Sequence, residues 1–146
     1  MEVDTLIKQY EGCRLDAYPD PATGGEPWTI GWGSTLNKDG KPFKNGDTIS
    51  QAMADALLTD YIMKNIVPVF QKIPYNLTVG QKSAIASLVY NIGVPAFLRS
   101  GCFKAICEKD IAGIYKNWDW IKANGKAMKG LAKRRANELY WYLRDL

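Results

Sequence analysis

The sequence predicts an α+β protein, with a small N-terminal antiparallel sheet lobe, a larger helical lobe and a cleft between them. Two observations carry that reading. Turn residues, β-branched residues and aromatics dominate about residues 12–47, and helical periodicity with capping sequences takes over afterwards. A length of 146 residues suits one compact domain. We therefore expect a single domain over 1–146, with 12–47 as the sheet lobe and 1–11 plus 48–146 as the helical lobe. Ligand sites favour such clefts.

The elements follow in order. Val3, Leu6, Ile7 and Tyr10 recur at helical spacing, which predicts a short helix over about 3–11 that Gly12 ends in a left-handed cap. Arg14–Tyr18 alternates, Pro19–Pro27 is dense in turn residues, and Trp28–Trp32 is aromatic and β-branched: a hairpin with a long turn. Asn37–Asp47 offers turn chemistry and a third strand. Thr48-Ile-Ser-Gln51 reads as a capping box leading into a stripe of Ala52, Ala56, Leu57, Tyr61 and Ile62. Thr78-Val-Gly-Gln81 reads as a second box, with Ala84, Ile85, Leu88, Val89 and Ile92 behind it and Gly93 as the stop. Asn124-Gly125 is a turn, and Ala132, Ala136, Leu139, Leu143 and Leu146 make a final apolar stripe.

Composition excludes several chemistries. The chain has no histidine, so His-dependent triads, His general bases and His metal sites are out. Cys13, Cys102 and Cys107 form no C-x-x-C pair and read as small buried apolar side chains, so neither a structural metal nor a cofactor is expected. Chemistry is left to carboxylates, hydroxyls, lysine or tyrosine. The opening segment is acidic with spaced apolar residues, unlike a signal peptide, and no apolar run approaches the roughly 18–20 residues of a membrane span. The expectation is therefore no stable membrane insertion. Net charge is +4, yet Met1–Thr35 carries six acids against two bases, and Trp120–Asn137 carries six bases and no acid. That basic segment fits either an anionic partner or a solvated helix face.

Three residues form a candidate constellation. Glu11 ends a helix, where the negative end of the helix dipole disfavours a carboxylate; the neutral acid is what a proton donor must be. Asp20 stands between Pro19 and Pro21, which stiffen its backbone, and Thr29 lies on the returning strand. Two carboxylates across a sugar can protonate the glycosidic oxygen and polarise a water on the opposite face, and a hydroxyl can orient that water. Each of the three also has an ordinary structural role, at a helix end, in a turn or on a strand.

Glu11-Gly12-Cys-Arg14-Leu15-Asp-Ala17-Tyr18-Pro-Asp20 followed by Trp28-Thr29-Ile30-Gly31-Trp32-Gly33-Ser34-Thr35 resembles the catalytic block of phage-type lysozymes, the endolysin muramidases of glycoside hydrolase family 24. Ala84–Phe97 is similar to that family's central buried helix, and Gly130-Leu131-Ala-Lys133-Arg134-Arg135-Ala-Asn-Glu138-Leu139 to its C-terminal signature. The resemblance implies a lysozyme-like fold and hydrolysis, with inversion, of the β-1,4 bond between N-acetylmuramic acid and N-acetylglucosamine. It makes Glu11 the acid and Asp20 with Thr29 the holders of water. Eight residues separate Asp20 from Thr29, a few more than in the best-known members, the excess lying in Ala22–Pro27.

Tyr18 and Thr35 are candidate glycan contacts, Trp28 and Trp32 candidate stacking residues, and Trp118, Trp120 and Trp141 candidate core. Arg134 or Arg135 is a candidate partner for Glu138 or a brace for Glu11. Bacterial cell-wall lysis at phage release would further imply an enzyme that waits in the host cytoplasm and reaches the periplasmic wall through a membrane lesion, with a holin as functional partner. A monomer is expected because no long exposed apolar stripe is left once the helices pack. Three other readings compete: a lytic transglycosylase, a non-catalytic peptidoglycan-binding domain, and nucleic-acid binding, for which no recognition motif is present.

Overall fold

The computed structural model describes residues 2–123 and 125–146, so the Asn124 half of the expected turn lies outside the described residues. One 3₁₀ turn, Glu2–Asp4, leads into α1, Thr5–Glu11. Leu6 and Ile7 are fully buried, which anchors α1 to the helical core. The acidic start is capped differently from a standard N-terminus: Asp4 makes no side-chain capping bond, and its carboxylate lies 3.3 Å from Lys8 Nζ one turn on. Gly12 does end α1, with φ 63° but ψ 159°, so the chain leaves as an extended strand rather than in the expected left-handed helical cap. That conformation is open essentially to glycine alone.

The hairpin forms as expected. β1, Arg14–Tyr18, pairs antiparallel with β2, Thr29–Gly31, in a register that sets Arg14 opposite Gly31 and Tyr18 opposite Thr29. The third strand does not form. Asn37–Asp47 instead joins the sheet through isolated bridges, Trp28 to Phe43 and Leu36 to Pro42, because proline lacks the donor a ladder needs. Ile30, Phe43 and Leu57 make a small core under this lobe.

Helices build the rest. α2, Gln51–Tyr61, is capped by Ser50, whose Oγ accepts from Met53 N at 3.0 Å, two residues later than the Thr48 box predicted. Its buried face is Ala54, Leu57, Leu58 and Ile62; Ala52, Ala56 and Tyr61 of the expected stripe are exposed. A π turn over Ile62–Ile66 then carries the chain into α3, Val67–Gln71, with Val67 N–H bonded to Ile62 O. Pro68 explains the widened turn: it has no N–H to give and its ring would clash with the carbonyl four residues back.

α4, Val79–Ile92, is the central helix, buried over most of its length. Its capping box is the one expected: Thr78 Oγ1 accepts from Gln81 N at 3.1 Å, and Gln81 Oε1 accepts from Thr78 N at 3.0 Å. α5 (Val94–Leu98), α6 (Gly101–Glu108) and α7 (Ile111–Asn117) wrap its far end; a two-residue hairpin, β3 (Lys122–Ala123) with β4 (Lys126–Ala127), precedes α8, Lys129–Leu143. α8 packs along α4, but not through the expected stripe. Ala132, Ala136 and Leu146 are exposed, and the buried face is Arg134, Arg135, Glu138 and Tyr142. Of the cysteines only Cys102 is buried; Cys13 and Cys107 are partly exposed. Of the candidate core tryptophans, Trp118 is buried and Trp120 and Trp141 pack partly exposed at its edge.

Two outcomes follow from this packing. Thr78 also donates to Asp145 Oδ2 at 2.6 Å, tying the start of α4 to the C-terminal segment. Thr78→Ala should therefore cost about 1–2 kcal/mol in urea unfolding. Burial pushes the Cys102 thiol up to about 12. A thiol that ionises near 8.5 only when unfolded stabilises the fold below that pH and loses the contribution as pH rises towards 12. Iodoacetamide at pH 8 should thus label native Cys13 well before Cys102, read by peptide mass, and Cys102→Ala should lessen the alkaline fall in stability.

Candidate active site

Glu11 sits at the point where α1, the hairpin, α4 and α8 converge. Its side chain is 21% exposed, and Oε1 accepts from Arg134 Nη1 at 2.8 Å. Its neighbour Tyr10 is held as well: Asn137 donates to Tyr10 Oη at 2.9 Å, and the Arg134 guanidinium lies over the Tyr10 ring at 5.5 Å. The last turn of α1 is therefore pinned to α8. Of the two alternatives for the paired arginines, Arg134 is the brace of Glu11, and both arginines meet Glu138.

The other oxygen of Glu11 looks towards the hairpin strand. A Cβ added at Gly33 would lie in ordinary contact with Glu11 Oε2 at 3.6 Å but tightly against Tyr90 Oη at 3.3 Å, so glycine eases the passage of this segment beside Tyr90. Gly33 also has φ 106°, which other residues rarely adopt. Tyr90 donates to Trp32 O at 2.9 Å, fixing the strand to α4. Burial, and next the Glu11 carboxylate, push the Tyr90 phenol well above its ordinary value, so it stays a neutral donor. Tyr18 is raised by the same two causes in the same order, which puts its phenol within the field of Glu11. The Arg14 guanidinium stacks over Tyr18 at 4.6 Å and opposes that shift.

Asp20 and Thr29 occupy the end of the hairpin beyond Tyr18. Asp20 Oδ1 accepts from Ala22 N at 2.8 Å, its backbone N–H donates to Gly25 O at 2.9 Å, and its carbonyl accepts from Gly24 N at 2.8 Å. The turn folds around this residue, leaving Oδ2 without a hydrogen bond among the described residues. Thr29 Oγ1 donates to Pro27 O at 3.3 Å and keeps its lone pairs. No hydrogen bond among the described residues joins Glu11 to Asp20 or Thr29; the hairpin register relates them through Tyr18, opposite Thr29. The added turn length, Ala22–Pro27, is tightened by its own bonds, Thr23 Oγ1 to Glu26 O at 2.5 Å among them.

Beside Gly33 and Tyr90 opens a pocket of about 350 Å³ between the strand-to-loop segment and α2. Thr35 lines it, with Leu36 and Tyr61 supplying exposed apolar wall and Asn37 and Asn65 supplying amides. Such a mixture of flat apolar surface and amides suits a sugar. The tryptophans expected to stack are otherwise occupied: Trp32 Nε1 donates to Asp55 Oδ1 at 2.8 Å, and Trp28 packs against the small core.

Comparison with known proteins identifies the architecture. Residues 8–138 match the family described as phage lysozyme. The chain belongs to the phage lysozyme family. It is 39% identical over 138 residues to an endolysin of Acyrthosiphon pisum secondary endosymbiont phage 1, covering 91% of this chain and 89% of that one. Among solved structures it is similar to the endolysin from Escherichia coli O157:H7 phage FAHEc1, with a TM-score of 0.84 and 32% identity over 99% of this chain and 92% of that one. It is also similar to the muramidase domain of SpmX from Asticaccaulis excentricus, with a TM-score of 0.79 and 29% identity over 97% of this chain and 94% of that one. The α+β, lysozyme-like fold is thus shown, and the chain is a glycoside hydrolase of the peptidoglycan-degrading kind.

Tyr90, Ser87 and Asn91 were not among the sequence candidates. They sit on a helix whose apolar residues dominate the pattern, and a polar residue there shows its role only once its partner's position is known. Gly33→Ala tests the close approach. We expect a folded protein with activity on peptidoglycan at least tenfold lower, because the methyl group presses on Tyr90 Oη beside Glu11 and the backbone is strained; wild-type turnover would show the approach to be unimportant.

Proposed function

We propose that this single domain hydrolyses, with inversion, the β-1,4 bond between N-acetylmuramic acid and N-acetylglucosamine. The carrying observation is Glu11: one oxygen is held by Arg134, and the other lies beside Gly33, a residue that lines the sugar-sized pocket. Glu11 Oε2 gives its proton to the glycosidic oxygen as the bond to the anomeric carbon breaks. Water attacks that carbon from the opposite face, and its proton passes to Asp20 Oδ2. Thr29 accepts a second hydrogen bond from the same water and aims its lone pair. Solvent returns the proton from Asp20 to Glu11 after release. Thr35 and Tyr18 contact the glycan, which the pocket lining and the nearness of Tyr18 to Glu11 support.

In this reading the enzyme acts as a monomer, waits in the host cytoplasm and reaches the periplasmic wall through a lesion made by a holin. Among the described residues, no helix is long and apolar enough to cross a membrane. Arg134 and Arg135 are buried, so the surface of the basic segment is reduced to Lys122, Lys126, Lys129 and Lys133, which weakens the nucleic-acid reading.

Digestion of purified peptidoglycan tests the proposal. Wild type should release hydrated muropeptides with free reducing ends, and Glu11→Gln should fall at least a thousandfold below it. Anhydro products would make the enzyme a lytic transglycosylase and remove Asp20 and Thr29 from the chemistry. Binding to the wall without cutting by either protein would leave the fold serving recognition alone.

A further inference from the structure

Behind Glu11 lies a second carboxylate that the hydrolytic step does not use. Glu138 is completely buried. Its Oε1 is 2.7 Å from Arg135 Nε and accepts from Trp118 Nε1 at 3.2 Å; its Oε2 accepts from Ser87 Oγ at 2.5 Å and Arg135 Nη2 at 3.0 Å. Arg134 completes the cluster. Its Nε reaches Ser87 Oγ at 3.1 Å and Glu138 Oε2 at 3.3 Å, its Nη2 donates to Ser87 O at 3.0 Å, and only Nη1 is left for Glu11. A planar guanidinium held along two of its edges has no rotation left. The direction of Nη1 is therefore decided by Ser87 and Glu138.

We propose that Glu138 and Ser87 are positioning residues for the hydrolysis, acting through Arg134 to set where Glu11 stands and how strongly Arg134 pulls on its charge. The proposal rests on the muramidase reading above. Two demands on Arg134 conflict. Before the reaction Glu11 must keep a proton, which an unopposed cation at 2.8 Å resists. As the proton leaves, the same cation must stabilise the carboxylate that forms. Glu138 opposes the cation from behind; burial raises its carboxyl, and Arg135, which faces it from the other side and also bonds Asn91 Oδ1 at 3.0 Å, works against that rise.

The remaining groups facing Glu11 carry no formal charge at neutral pH: Tyr90 from α4 and Tyr18 from β1, the latter with Arg14 over its ring. Beyond Arg134, Arg135 acts on Glu11 at longer range from the same helix. Among the described residues, Arg134 is thus the charged group in contact with Glu11, and the Glu138 carboxylate stands behind it.

The test measures kcat, KM and the pH–activity profile of wild type, Glu138→Gln and Ser87→Ala on solubilised peptidoglycan, beside their Tm. Glu138→Gln keeps the shape but frees Arg134's charge, so the alkaline limb of activity should move about one pH unit towards acid, with KM within about twofold. Ser87→Ala keeps the charges but frees the guanidinium, so kcat should fall about tenfold with KM and the limb in place. If both variants lose only thermal stability while kcat and the limb are unmoved, the cluster is structural and the proposal is overturned. Should Glu138→Gln fail to fold, Ser87→Ala decides alone by the same criterion. An inactive wild type would instead overturn the muramidase reading and this role with it.

Discussion

One buried carboxylate and two guanidiniums of α8, bonded to Ser87 and Asn91 of α4, join the two principal helices and reach Glu11 at the end of α1. Placing Glu138, Arg134 and Arg135 between α4 and α8 removes three ions from water, at a cost of several kcal/mol each. Desolvation dominates both shifts: burial raises the Glu138 carboxyl and lowers Arg135, each opposed by the partner's charge. The pairing is close and nearly every remaining polar atom has a partner, which offsets much of that cost. An apolar contact would hold α8 as firmly, but it would carry no donor to the far end of α1. Arg134 carries one, and Glu11 is the residue it meets.

That arrangement separates two tasks often combined in one side chain. The inward oxygen of Glu11 is fixed and the outward oxygen is free for the substrate. Gly33 lets the backbone pass close to Tyr90 Oη and beside Glu11 Oε2, so the two lobes meet at that carboxylate. The other half of the proposed chemistry rests on a different physical device, a short turn knotted by its own hydrogen bonds. Asp20 Oδ1 is spent on that turn, as is the Thr29 hydroxyl hydrogen, which leaves each with acceptor capacity for water.

Local signals carried far in the sequence where one residue type satisfies one local need. The Thr78 box, the stop at Gly93 and the hairpin around Pro19–Pro27 follow from capping and turn chemistry, and the family resemblance rests on motifs in those stretches. Periodicity misled where burial is not apolar. On α8 the alanines and leucines suggest one face, yet Arg134, Arg135 and Glu138 occupy the interior because they pair with one another within α8 and bond Ser87 and Asn91 of α4 and Glu11 of α1, partners that lie far away in the sequence. Ser50 displaced Thr48 as a cap, and the π turn before Pro68 was invisible to a 3.6-residue pattern. Glu11 was legible as an acid at a helix end; its brace was legible only as a choice between two arginines.

The central claim is a division of faces: the acid is held from behind by Arg134 and water arrives from the side of Asp20 and Thr29. Stereochemistry reports on that division directly. Proton NMR of the freshly formed reducing end, recorded within the first turnovers and before mutarotation, should show the α-anomer, the inverted product of a β-linkage. A β-anomer at first appearance would mean attack by an enzyme carboxylate and two displacements, and would contradict the assignment of Asp20 and Thr29 to a water molecule.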